Sequence, residues 1–271
     1  MSPADEPPRH AARLRDRSRG DLQADTLFRE LATLGVDRRR IRDLLRRWDP
    51  EDTLLRAVLK RAVPVALLEE LGTTPPWSDR PRVLGGVACN PRTPRSLTLR
   101  VLPALYWPDL AEVAAHPYLS GGVRARAEGL LTDLLRDLRL GERISLARQA
   151  TPAVLKALLS DAEARVVRAA LQNPRLREGD VVEALRGSHL APPLPRELSV
   201  SARWSACYAV RLALVLQPRT PLGIVLAQLT SLTPADLRRV AETDGLLPLV
   251  QASAARASRG SDKTHMRQGF R

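Results

Sequence analysis

The chain is short of aromatics, cysteine and lysine, and each shortage removes a class of reading. Aromatic residues make up 3% of the 271, so the core must be built from Leu, Val and Ala. Those residues suit helices packed closely on one another. β-Branched and aromatic residues rarely alternate over a strand's length, which argues against a sheet. The two cysteines, Cys89 and Cys207, have no CxxC spacing and no neighbouring His. No zinc or iron–sulfur ligand set is legible, and both are expected as buried, unpaired, metal-free thiols. No apolar run approaches the ~20 residues that span a bilayer. No apolar signal segment follows Met1, so the expectation is a cytoplasmic protein without a membrane anchor.

Lysine appears only at Lys60, Lys156 and Lys263, yet the formal net charge is +13. A basic balance invites a nucleic-acid reading. Arginine supplies nearly all of it, together with abundant Ala, Leu and Pro, which is the skew a GC-rich genome imposes on any protein. Acidic residues are interleaved with many of the arginines, as from Arg136 to Arg143. The charge is read first as solubility and weak attraction to anions.

What is present is helical punctuation. Residues 1–20 are polar and read as a disordered arm. Residues 21–63 read as an N-terminal helical cap. Leu27, Leu31 and Leu34 form an apolar stripe stopped by Gly35. Asp37 caps a second helix carrying Ile41, Leu44, Leu45 and Trp48, with Arg38, Arg39, Arg40, Arg46 and Arg47 toward solvent. Asp49-Pro50 is expected to open a third. From residue 64 to 257 helical segments alternate with Pro-centred turns, and 258–271 reads as a disordered tail. Asn90-Pro91-Arg92-Thr93-Pro94 returns as Gln217-Pro218-Arg219-Thr220-Pro221, with echoes at Asn173-Pro174-Arg175, His116-Pro117 and Thr151-Pro152. In this phrase Asn is expected to end a helix in the left-handed conformation, the first Pro to forbid continuation, and Thr to cap the next helix. Ser160 to Glu163 reads as a capping box. The Pro-rich stretch 191–195 reads as a loop between halves.

A longer duplication underlies these echoes. Residues 67–127 align with 194–254 without a gap, placing Trp77-Ser78 on Trp204-Ser205 and Asp109-Leu110 on Asp236-Leu237. About a third of the positions match, mostly apolar ones at helical spacing. The fold class is therefore all-α and repetitive.

The phrases Val87 to Pro94 and Arg165 to Pro174 resemble bacterial HEAT-like repeats of the leucine-rich-repeat-variant type. The resemblance covers about residues 64–257 and implies a right-handed α-solenoid whose short helices bury their apolar faces on their neighbours. Some proteins of that type hold an iron–sulfur cluster on N-terminal cysteines. This chain has none before Cys89, so no cofactor is expected.

Candidate chemistry is sparse. His10, His116, His189 and His265 are scattered, and His116 stands where the turn phrase has Asn, which suggests capping. No Ser–His–Asp set, HExxH or phosphate loop is present, and Glu69-Glu70 are expected to point outward without partners. Trp77 and Trp204 read as packing residues, and Asp109 and Asp236 as first-turn carboxylates favoured by the helix dipole. The site candidate is a row of Arg92, Arg175 and Arg219, each following the Pro of a turn and so expected on one edge of the stack. They would bind an anion or partner there, or else cap the preceding helix ends or face solvent. The function expected is a non-enzymatic scaffold or adaptor binding another protein through a concave face or this edge. The alternative is a nucleic-acid binder similar in spirit to HEAT-like DNA glycosylases, whose acidic and aromatic catalytic residues have no assignable counterpart here. An enzyme built on helical repeats is a third reading. Oligomeric state is left open.

Overall fold

The computed structural model describes residues 9–187 and 190–268, with side chains described for 20–187 and 190–259. Among the described residues the chain forms helices and no strand. It divides into two compact units, Met1–Leu134 and Leu135–Arg271, a division inside the expected single repeat region. The first unit holds α1 (Arg9–Leu34), α2 (Arg38–Trp48), α3 (Asp52–Leu59), α4 (Val65–Thr73), α5 (Pro81–Cys89), α6 (Arg95–Val101), α7 (Trp107–Ala115) and α8 (Gly121–Leu134). The second holds α9 (Leu140–Gln149), α10 (Pro152–Leu158), α11 (Ala164–Leu171), α12 (Glu178–Arg186) and α13 (Pro193–Val200). It continues with α14 (Ala202–Ser205), α15 (Tyr208–Leu216), α16 (Leu222–Leu229), α17 (Pro234–Glu242) and α18 (Pro248–Gln268).

Most of these helices are too short to hold alone in water, where marginal stability needs about 12–15 residues. Their stability comes from buried faces. Within the first unit α1, α3, α5 and α7 pack each on the next, and α2, α4, α6 and α8 do the same. Within the second, α9, α11, α13, α16 and α18 form one such series, and α10, α12, α15 and α17 the other. The core is aliphatic as the composition requires, with Leu67, Leu68, Leu71 and Leu102 fully buried in the first unit. Trp77 and Trp204 are both buried, and the Trp204 indole N–H donates to the Leu171 carbonyl at 2.8 Å. No helix is long and apolar enough to cross a membrane among the described residues.

The turn phrase closes helices, by a different device from the one expected. Asn90 has φ −75°, outside the left-handed region. Its side-chain amide instead donates to the Leu59 and Arg61 carbonyls at 2.7 and 2.8 Å, at the end of α3, while its oxygen accepts the Arg92 N–H at 2.9 Å. Asn173 repeats the arrangement on Ala147 and Ala150 at the end of α9, and accepts from the Arg175 N–H. One buried amide thus satisfies the orphan carbonyls of a neighbouring helix. Thr93 does not cap α6 either: its hydroxyl donates back to the Val87 carbonyl at 2.6 Å, and Pro94 holds the N-cap position.

Other local expectations shift for related reasons. Asp37 accepts from the Arg39 and Arg40 N–H groups as a cap should. Asp49, with φ 40°, ends α2 in the left-handed conformation and does not start α3. The box from Ser160 to Glu163 does not form; Asp161 accepts the Glu163 N–H and pairs with Arg143 at 2.8 Å. The Pro-rich stretch is a loop only to its second residue: Pro192 is the N-cap and Pro193 to Pro195 already belong to α13, since Pro at the first turn loses no hydrogen bond. α1 starts at Arg9 and α18 runs to Gln268, so helix extends into both segments expected to be disordered. Residues 1–8 and 269–271 of that arm and tail lie outside the described residues.

Candidate functional site

Arg92, Arg175 and Arg219, expected as edge groups, each make local contacts of their own. Arg92 belongs to the first unit, and its guanidinium donates to the Ala62 carbonyl at 3.4 Å, just past α3. Arg175 belongs to the second and donates to the Gln149 carbonyl at 2.7 Å, at the end of α9. Both close the C-terminal end of a neighbouring helix, where the dipole favours a cation. Arg219 has its N–H on the Gln217 side chain at 3.3 Å, the Gln amide reaching the Leu185 carbonyl at the end of α12. The longer Gln side chain stands where Asn90 and Asn173 stand in the other phrases.

At that third phrase the packing leaves an open pocket of about 400 Å³. Leu185 from the end of α12 and Ala213 and Leu216 from α15 provide its apolar wall, and Arg186 and Arg219 stand at its border. The volume lies in the range of small-ligand sites. Two guanidinium groups beside an apolar wall suit a carboxylate or phosphate carried next to a hydrocarbon group. Arg219 was legible from the repeat. Arg186 was not, because it is the last residue of α12 and belongs to no repeated phrase.

Buried ion pairs are the other chemistry that the sequence did not disclose. Glu70, expected to face outward, is fully buried on α4. Arg42 donates to its two oxygens at 2.6 and 3.1 Å, and Arg38 adds a further bond at 3.2 Å. Burial pushes the Glu70 carboxyl up. The hydrogen bonds and charge of Arg42, with the bonds from Arg38 and Thr74, outweigh it and hold the group below its ordinary 4.5. Glu197 on α13 is likewise gripped by Arg168 at 2.8 and 2.9 Å. Asp109 pairs with Arg56 at 2.6 Å, close against Gly85, where an added Cβ would meet the Asp109 Cγ at 2.6 Å. Asp236 accepts instead from the Tyr208 hydroxyl and from Thr233. These carboxylates hold helices together and line no cavity described above.

Neither thiol is bonded to another cysteine, and both are half-buried. Burial, with Glu112 and Asp109 nearby, pushes the Cys89 thiol up to about 12, the reverse of what a nucleophile needs. Among the described residues no three His, Cys, Asp or Glu side chains cluster as a metal site would. His116 closes α7 through its backbone N–H on Val113, and its ring packs T-shaped with Tyr118 at 6.0 Å. The side chains of His10, His189 and His265 lie outside the described residues. The chain matches no protein-family model, no curated protein and no solved structure.

Proposed function

We propose that the chain is a non-enzymatic helical-repeat adaptor that binds another protein, each unit being a short right-handed solenoid of HEAT-like helix pairs. The packing of alternate helices on one another in two series per unit supports the solenoid reading, as do the amide ties from one turn to a neighbouring helix end. A cytoplasmic setting belongs to the same proposal. The observation that carries the binding reading is the pocket bordered by Arg186 and Arg219. It suits a partner segment offering an Asp or Glu beside a Leu- or Val-type residue, the carboxylate on the guanidinium groups and the apolar side chain on the half-buried Leu216.

The test is an array of short peptides pairing an acidic residue with an aliphatic one, followed by titration of the best binder. The double variant Arg186→Glu/Arg219→Glu should weaken that binder at least about tenfold, equivalent to 1.4 kcal/mol or more. Unchanged affinity in the variant, or an array with no acidic preference, removes this reading of the pocket. The nucleic-acid alternative is favoured by a different surface, the exposed face of α2.

A further inference from the structure

The densest local charge in the described chain lies on α2, far from balanced by acids. Six of its eleven residues are Arg against one Asp, whereas the whole chain has 43 basic and 30 acidic residues. A compositional bias spread evenly does not give that density. Arg38 and Arg42 are accounted for, since both hold the buried Glu70. Arg39, Arg40, Arg46 and Arg47 are exposed. Arg40 meets Asp37 at 3.3 Å in an exposed pair, an interaction that contributes little. The side chains of Arg39, Arg46 and Arg47 have no ion-pair partner among the described residues.

The helix dipole favours Arg46 and Arg47 in the last turn of α2 but does not explain the cations at its start. Arg39 and Arg40 sit in the first turn, where the dipole disfavours cations. Asp37 caps that end, and Ile41, Leu44 and Leu45 fix the opposite face in the core. The helix therefore presents its cations on a rigid support. Arg39 and Arg46 are seven residues apart, as are Arg40 and Arg47, so each pair shares a face at about 10.5 Å along the axis. No aromatic or aliphatic anchor lies among them, as a protein hot spot or a membrane-inserting face would need. Val36, exposed in the preceding turn, is one small side chain. Guanidinium groups without apolar anchors match the phosphate backbone of a nucleic acid, which needs positioned cations and no base-reading surface.

We propose that the exposed face of α2 docks on the phosphodiester backbone of duplex nucleic acid, without reading base sequence. This is independent of the pocket at Arg219. The test uses the full chain and a labelled duplex of about 20 base pairs, with affinity followed by anisotropy as salt rises from about 50 to 200 mM. The triple variant Arg39→Glu/Arg46→Glu/Arg47→Glu should bind at least about tenfold more weakly. It should also flatten the slope of log affinity against log salt by about 2 to 3, since each phosphate contact contributes about 0.9. A control variant, Arg165→Glu/Arg196→Glu/Arg239→Glu, makes the same charge change on exposed arginines of the second unit. It should keep most of the affinity and the slope. Equal losses in both variants would assign binding to diffuse charge and overturn the proposal. So would an unmodified protein that does not bind the duplex, or one whose α2-dependent binding is to phosphatidylserine vesicles alone. Circular dichroism of all three proteins separates a lost surface from a lost fold.

Discussion

Residues 65–134 of the first unit and the segment from 193 onward in the second use one helical frame with different polar fastenings. Pro81 and Tyr208 both open a helix, 127 positions apart, and Cys89 and Leu216 both close one. Trp107–Ala115 and Pro234–Glu242 correspond at both ends at the same offset, and Gly121 and Pro248 both start the last helix. The correspondence reaches further back than the sequence alignment does. α2 and α3 fall within one residue of the starts of α11 and α12 at that offset, although few of their residues match. Packing partners recur too, α3 on α5 as α12 on α15, and α6 on α8 as α16 on α18.

The fastenings differ, and one difference has a visible cause. Gly85 leaves room for Asp109, which turns to Arg56. The position that corresponds to Gly85 in the second segment is Leu212, and there Asp236 turns to Tyr208, which stands where the first segment has Pro81. Thr93 donates to Val87, whereas the Thr220 hydroxyl is buried without a hydrogen-bond partner among the described residues. Apolar register and proline-started helices specify the frame, and the polar pairs are local solutions to the space each copy leaves.

The largest effects should come from the matched tryptophans. Trp77→Ala and Trp204→Ala should each lower stability by about 3–5 kcal/mol, with Trp204 the costlier because the Leu171 carbonyl loses its donor. Urea unfolding measures this, and a neutral result at either site would break the equivalence.

Next come the buried glutamates. Glu70→Ala removes the buried carboxylate that ties Arg38 and Arg42 of α2 to α4 and should lower the urea midpoint measurably. Glu197→Ala should cost less, because the Arg168 side chain is 58% exposed. The folded pKa of Glu70 lies below its unfolded value near 4.5. Its contribution is therefore fully present above about that pH and is lost as pH falls through the folded pKa. An acid titration should show the wild type losing more stability below that value than Glu70→Gln does. Equal losses would mean that Glu70 is not the group holding α4 to α2.

A smaller effect tests the space argument. Gly85→Ala should push Asp109 off Arg56 and cost about 1–3 kcal/mol, detectable as a lower melting temperature. No loss would leave the different carboxylate partners of the two segments without their cause. The smallest concerns reactivity rather than stability. At neutral pH Cys89 should alkylate at least about a hundredfold more slowly than a free cysteine, because so little of it is thiolate. A rate equal to free cysteine would contradict the burial of that thiol against Glu112.

The helical class was legible because it depends on periodic Leu, Val and Ala and on Pro and Gly, all local signals. The repeated frame was legible over residues 67–127 because enough apolar positions match. It was missed at α2 and α11 because there only spacing repeats, while composition changes from Arg-rich to Val- and Ala-rich. Glu70 was misread because an adjacent pair of glutamates looks solvent-facing until the Arg38 and Arg42 side chains arrive from 32 and 28 residues away. The roles of Asn90 and Asn173 were misassigned for the same reason: their amides serve carbonyls of another helix, which no local rule contains. The pocket is lined both by Arg186 at the end of α12 and by Arg219 in the turn after α15, and only the fold brings those segments together.

Amide hydrogen exchange across both segments tests the shared frame most directly. Slow exchange should occupy 81–89 and 107–115 in the first and 208–216 and 234–242 in the second. Breaks should fall at 90–94 and 217–221, so that one protection map overlies the other after a shift of 127. Breaks at unrelated positions, or protection running unbroken through either proline phrase, would contradict the idea of one helical frame used twice.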